Sequence, residues 1–205
     1  MDWIEKTGDV GTKAFFGFLK VRNDPDQSHQ TIVHAILDSN LPQAEKTVER
    51  IYDEVGTITG AAFETAAQSI RTILYYLYSD PTMLNRLRSE LDQATKKQGN
   101  DGHLPLSTLE QLPFLTSVVR EGLRLSPGLA TRLARLAPDH DLFYDKWRIP
   151  AGTPVGMTVL LMHLNEDVYP QPKTFNPDRW SDEAKRSDKT FAPFSRGTRI
   201  CLGMQ

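Results

Sequence analysis

The chain has 205 residues, 39% hydrophobic and 24% charged, which is enough apolar material for one substantial core or two small ones and excludes a disordered polypeptide. A formal net charge of -2 gives no bulk attraction to nucleic acid or to an anionic membrane, and no basic cluster supplies one locally, so no nucleic-acid partner is expected. The only cysteine, Cys201, excludes an internal disulfide, and the five histidines (His29, His34, His103, His140 and His163) form no recognisable zinc-ligand pair.

Along the chain, residues 1–30 carry mixed charge and weak periodicity, with acidic residues where a signal peptide would be basic. No apolar stretch approaches the roughly 18 residues of a membrane span. Ile32, Val33, Ala35, Ile36 and Leu37 predict a short helix closed by DSNLP. The longest regular stretch follows, Gln43 to Tyr78, in which Val48, Ile51, Tyr52, Val55 and Ile58 recur at helical spacing, continued by Ala66, Ile70, Ile73, Leu74 and Leu77. It ends at Ser79-Asp80-Pro81, and Pro81 to Lys97 reads as a second amphipathic helix. KKQGNDGHLP is a loop. Ser107 to Glu110 has capping-box spacing, and Pro113 opens a helix through Leu125 that Ser126-Pro127-Gly128 breaks. Beyond it Trp147–Ile149 and Val155–Leu161 read as strands between turns, and residues 166–193, rich in Pro, Asp and Lys, as a long irregular segment. Helices followed by a small sheet predict a mainly α architecture with a small β region.

Three constellations carry candidate chemistry. In VVREGLRLSP, Glu121 precedes Arg124 by three residues, a spacing that ordinarily gives a solvated surface pair. Glu121 shares its stripe with Phe114, Val118 and Leu125, however, and a buried acid needs a partner; Arg179 in FNPDRW is a further cation that would tie the irregular segment to the helix. In GAAFETAAQS, Gly60, Ala61, Ala62, Ala66 and Ala67 leave one side of the long helix with little bulk, beside Glu64 and Thr65. That pattern suits close helix packing, or a flat ligand with an acid and a hydroxyl placed to hold water and relay protons. The third is the closing stretch FSRGTRICLGMQ. It combines Phe194, Gly197, Arg199, Cys201 and Gly203 at fixed offsets, with Arg196 also flanking the thiol. A lone cysteine is by default a small buried hydrophobe. Cationic neighbours favour a thiolate, which can attack an electrophile or bind a metal. No nearby histidine serves as its base, whereas one thiolate is sufficient for haem iron, because the porphyrin supplies the other four in-plane ligands.

Together, and in this order, the three motifs resemble those of the cytochrome P450 haem-thiolate monooxygenases, in particular the fungal microsomal members. FSRGTRICLG is similar to the family's haem-binding loop, which implies Cys201 as the axial ligand, Arg199 as a propionate partner, Phe194 as a shield for the sulfur, and Gly197 and Gly203 as the conformationally permissive positions. EGLR is similar to the E-x-x-R helix motif and FNPDRW to the segment that adds Arg179 to Glu121 and Arg124. AAFET is similar to the distal-helix motif and implies proton delivery by Glu64 and Thr65; Ala62 and Ala66 stand where the family usually has Gly and Thr or Ser. Arg135, in TRLAR, falls where another propionate contact is common. The resemblance implies the C-terminal portion of the P450 fold, incomplete at both ends: a distal helix at about 43–78, the E-x-x-R helix at 113–125, a small β region at 130–165, an irregular meander at 166–193 and the Cys haem loop at 194–205. It further implies haem b, insertion of one oxygen atom of O2 into a small hydrophobic or secondary-metabolite substrate, and electrons from NADPH through a separate NADPH–cytochrome P450 reductase. Full-length members of this type are anchored to the endoplasmic reticulum membrane. The alternative expectation is a truncated, non-catalytic remnant that keeps the motifs without binding haem stably.

Overall fold

The computed structural model describes residues 31–98, 103–181 and 189–204. The segment 1–30, the middle of the KKQGNDGHLP loop and the stretch 182–188 of the irregular segment lie outside the described residues. The chain divides into two units, Met1–Glu64 and Thr65–Gln205. The architecture is mainly helical with one two-stranded sheet. No helix among the described residues is long and apolar enough to cross a membrane.

In the first unit, Thr31 caps helix α1 (Ile32–Leu37): its hydroxyl accepts the His34 N–H and its own N–H donates to His34 Nδ1 at 3.1 Å. A helix of one to two turns is marginal alone. Lys46 Nζ supports its far end by donating to the carbonyls of Leu37 (2.7 Å) and Ser39 (2.6 Å). A 3-10 turn at Gln43–Glu45 intervenes before α2 (Val48–Ser79), which runs on into the second unit. The long helix expected from Gln43 therefore begins at Val48. The physical reason is Thr47, whose hydroxyl accepts the Arg50 N–H at 3.2 Å and so acts as the N-cap.

In the second unit, Asp80 ends α2 and starts α3 (Pro81–Gln98), its Oδ1 accepting the N–H groups of Thr82 (2.9 Å) and Met83 (3.1 Å). After the single-turn α4 (Leu106–Leu109) comes α5 (Pro113–Leu125). The capping box expected at Ser107–Glu110 is not formed, since Pro105 precedes α4 and makes no side-chain cap. Capping is instead supplied to α5 from outside: the two carboxylate oxygens of Glu90, on α3, accept the N–H groups of Phe114 and Leu115 at 2.8 Å each. A helix start leaves such N–H groups unpaired and carries positive partial charge, so a neighbouring carboxylate suits it.

Leu77, Leu87, Phe114, Val118 and Phe175 form the core where α2, α3 and α5 meet, and the Tyr76 ring stacks on Phe175 with centroids 4.6 Å apart. Gly122 is what lets α5 approach α2 so closely, because a Cβ there would collide with the Ile73 side chain. The sheet pairs β1 (Leu142–Tyr144) with β2 (Trp147–Ile149) in antiparallel register, Phe143 opposite Arg148. Their two-residue turn places Asp145 at φ 51°. The strand expected at Val155–Leu161 is not formed. Val155 makes one isolated antiparallel bridge with Arg135, and the chain then coils into α6 (Val159–His163). The apolar run VLLMH has no strand to pair with there, and a short apolar run is equally compatible with a buried helical turn.

Candidate functional site

Helix α5 presents one buried stripe, Phe114, Ser117, Val118, Glu121, Gly122 and Arg124. Its spacing follows the helical period, so Glu121 and Arg124 enter the interior with the apolar residues. Both are fully buried. The Arg124 guanidinium meets the carboxylate through two bonds, Nε to Oε2 (2.9 Å) and Nη2 to Oε1 (2.8 Å). From the irregular segment, Arg179 Nε (3.0 Å) and the Asn176 N–H (2.9 Å) donate to Oε1, and Trp180 Nε1 donates to Oε2 at 2.9 Å. Arg179 is held in place by the 3-10 turn Pro177–Trp180, which Asn176 caps through its side chain. Arg124 spends its remaining N–H groups on the carbonyls of His163 (2.8 Å), Pro172 (2.7 Å) and Thr174 (3.3 Å). Burial raises the Glu121 pKa, but the Arg124 bond, the Asn176 N–H and the charges of Arg124 and Arg179 outweigh it, so the carboxyl stays below its ordinary value. Arg124 and Arg179 thus converge on the Glu121 carboxylate, and this arrangement pins a loop to a helix.

Trp180, Asn176 and His163 were not among the candidates. Trp180 was the findable one, because it adjoins Arg179 and an indole N–H needs an acceptor when buried. His163 gives no local signal at the end of VLLMH. It is nonetheless fully buried, with Nδ1 3.1 Å from the Arg124 carbonyl and Nε2 accepting the Ala192 N–H at 3.2 Å. Its ring stacks on Phe191, centroids 5.7 Å apart.

The cysteine loop follows immediately. The Cys201 N–H donates to the Phe194 carbonyl at 2.9 Å, so the chain from Phe194 to Cys201 closes on itself. Within it Gly197 begins a 3-10 turn (Gly197–Arg199) closed by Ile200 N–H on the Gly197 carbonyl at 3.0 Å. The reversal needs left-handed backbone at Ser195 (φ 64°) and at Gly197 (φ 78°), which is why a glycine occupies the second position. Cys201, Arg196 and Arg199 are exposed and Phe194 is half-buried. Arg196 Nη2 reaches back to the Phe191 carbonyl at 3.1 Å. Gly203 lies beside the thiol: a Cβ there would be 3.8 Å from Cys201 Sγ. Among the described residues no group of three or more His, Cys, Asp and Glu side chains gathers as a multidentate ion site. A single accessible sulfur is, by contrast, all that haem iron requires of a proximal protein ligand, so the donor set is compatible with haem.

The other candidates are placed apart from this loop in sequence and differ in surroundings. Arg135 is exposed and folds its Nη1 onto the carbonyls of Leu133 (2.6 Å) and Ala134 (3.3 Å). Glu64 and Thr65 are consecutive on α2, and both are exposed. Thr65 abuts the turn after α5, since a Cβ on Gly128 would stand 2.9 Å from Thr65 Cγ2. One turn along α2, Ser69 Oγ lies 3.3 Å from Ser126 Oγ in the same turn.

The cytochrome P450 family model matches residues 13–205, a range that takes in all of these positions. Among curated proteins, the cytochrome P450 monooxygenase MO6277 of Ascocoryne sarcoides is 41% identical over 179 residues, covering 86% of this chain and 34% of that protein. N-acetyltryptophan 6-hydroxylase ivoC of Emericella nidulans is 40% identical over 178 residues (85% and 35%), and the fusicoccadiene C-8 hydroxylase of Phomopsis amygdali 36% identical over 191 residues (92% and 36%). The retinoic acid-bound cyanobacterial CYP120A1 matches in fold with a TM-score of 0.70 at 20% identity, over 96% of this chain and 43% of that one. The chain spans about a third of the length of these curated relatives and covers part of the fold. With the motifs, the fold and the relatives in agreement, the chain belongs to the cytochrome P450 family.

Proposed function

We propose that the protein containing this chain is a haem-dependent monooxygenase, inserting one oxygen atom of O2 into a small hydrophobic substrate of secondary metabolism. The observation that carries the reading is the Phe194–Cys201 turn, in which one backbone bond and a left-handed glycine hold a single accessible sulfur. Haem b, when bound, supplies the O2-activating redox chemistry. This chain's own residues hold and tune it. Cys201 would hold the haem iron through its thiolate, and Phe194, hydrogen-bonded through its carbonyl to the Cys201 N–H, would keep water from the sulfur. Gly203 keeps the loop free of a side chain beside the thiol, and Gly197 permits its left-handed turn. Arg199 and Arg135 pair with the propionates, Arg135 by leaving its present carbonyl partners. On α2, the Glu64 carboxylate and the Thr65 hydroxyl would hold water and pass protons. Glu121, Arg124 and Arg179 are supports, being buried and committed to one another.

Electrons come from NADPH through a separate reductase, at the endoplasmic reticulum membrane to which the full-length protein is anchored. The names of the relatives support oxidation of an organic compound. One hydroxylates N-acetyltryptophan and another fusicoccadiene, so these homologues oxidise unlike compounds. A second reading, a polypeptide that keeps the motifs without binding haem stably, is favoured by the exposure of the loop, where Leu202 is 93% exposed. An isotope experiment tests the first reading. With 18O2, NADPH and a fungal reductase, the full-length protein is expected to place one 18O atom in each product molecule, and Cys201→Ser to place none. Product oxygen drawn from water, or turnover unchanged by the substitution, contradicts it.

A further inference from the structure

The buried Glu121 centre and the Cys201 loop are separate in sequence, and among the described residues His163 bonds to both sides of that gap. Its ring nitrogens have unambiguous roles. The Arg124 carbonyl can only accept, so Nδ1, 3.1 Å away, must carry a proton; the Ala192 N–H can only donate, so Nε2, 3.2 Å away, must not. Together the two contacts fix one neutral tautomer. Packing holds the ring in this orientation, with Phe191 stacked on one face and Tyr169 edge-on, centroids 6.1 Å apart. On one side the ring reads the C-terminal turn of α5, whose Arg124 is already fixed by Glu121 and, in return, donates to the His163 carbonyl. On the other side it holds Ala192, whose carbonyl accepts the Ser195 N–H at 3.0 Å. Ser195 is the left-handed residue that starts the reversal, and Phe194 beside it accepts the Cys201 N–H.

The geometry points to His163 as a positioning residue: its Nδ1-protonated imidazole carries the fixed location of the Glu121–Arg124 centre, through Ala192, to the turn that presents Cys201. It acts through the backbone and touches neither substrate nor thiol. The inference does not rest on haem binding, and its readouts are ring spectra and hydrogen exchange rather than activity.

In the full-length protein, 15N spectra of the His163 ring are expected to show a proton on Nδ1 and none on Nε2. Two substitutions separate the ring's two ends. His163→Asn keeps a donor where Nδ1 sits and loses the acceptor, whereas His163→Gln reaches the Nε2 position with an acceptor oxygen. Hydrogen exchange of the segment 189–204 is expected to speed up about tenfold in His163→Asn, the usual effect of losing one hydrogen bond. Exchange over Pro113–Leu125 stays at the wild-type rate. His163→Gln, which keeps the acceptor for Ala192 but cuts the bond to the Arg124 carbonyl, is expected to leave the 189–204 segment faster than wild type by about threefold or more. Wild-type exchange of that segment in either variant overturns the inference. If neither variant folds, the wild-type spectrum still decides, and a proton on Nε2 overturns it.

Discussion

The Glu121 centre and the Cys201 loop sit in the same unit of the chain and are built on opposite plans. Around Glu121, two arginines, an indole and a backbone amide converge on one fully buried carboxylate, from a helix and from an irregular segment some fifty residues later. Around Cys201, the described bonds run within the loop itself or back to residues just before it, and the thiol is exposed. The first is a site whose ligands are all protein. The second offers one ligand outward. The contrast teaches that the motif residues of this chain divide into two kinds of placement: Arg124 and Arg179 pair with Glu121 in the interior and fix the chain, while Arg199 and Cys201 stand exposed. It also separates stability from function, and the two can be tested apart.

The largest effect should come from Arg124→Ala. It removes one of the two cations on the buried Glu121 carboxylate and the donor to the carbonyls of His163, Pro172 and Thr174, and removing one partner of a buried pair costs about 3–5 kcal/mol; the urea midpoint of the purified protein should fall accordingly. A stability change under about 1 kcal/mol would mean that the pair is solvated. Next, Trp180→Phe keeps the ring and deletes the N–H on Glu121 Oε2, with an expected cost of about 1.5–3 kcal/mol for a bond to a charged group. Gly122→Ala should cost about 1–3 kcal/mol by forcing α5 off Ile73.

Acid sharpens the same comparison. Because the folded-state pKa of Glu121 lies below its ordinary value of 4.5, its contribution is complete above that value and is lost as pH falls through the lower folded pKa. Unfolding free energy should therefore drop below about pH 4.5, and Glu121→Gln, though less stable at neutral pH, should show a shallower drop. An equal slope in both proteins would assign the acid sensitivity elsewhere. The smallest effect is expected at Cys201→Ala, within about 0.5 kcal/mol, as for other exposed positions.

Sequence reading reached the second of these plans better than the first. The loop's offsets from Phe194 to Gly203 are local, and a local turn with its glycine can be read without knowing what packs on it. Glu121 and Arg124 were legible because the helical period put them on an apolar stripe, and Arg179 through family resemblance. His163 and Glu90 were not, because their partners, Ala192 and the start of α5, are distant in sequence and are backbone groups that leave no side-chain pattern. The strand expected at Val155 failed for the same reason in reverse: an apolar run becomes a strand only where a partner edge exists, and beyond the single bridge to Arg135 the chain turns into α6.

The most direct test of the central claim is the absorption spectrum of the reduced, CO-bound full-length protein. Wild type should give the red-shifted Soret band of thiolate-ligated haem, and Cys201→Ala should lose that band. An unshifted band in wild type, or a red-shifted band that survives Cys201→Ala, would contradict the assignment of Cys201 as the ligand.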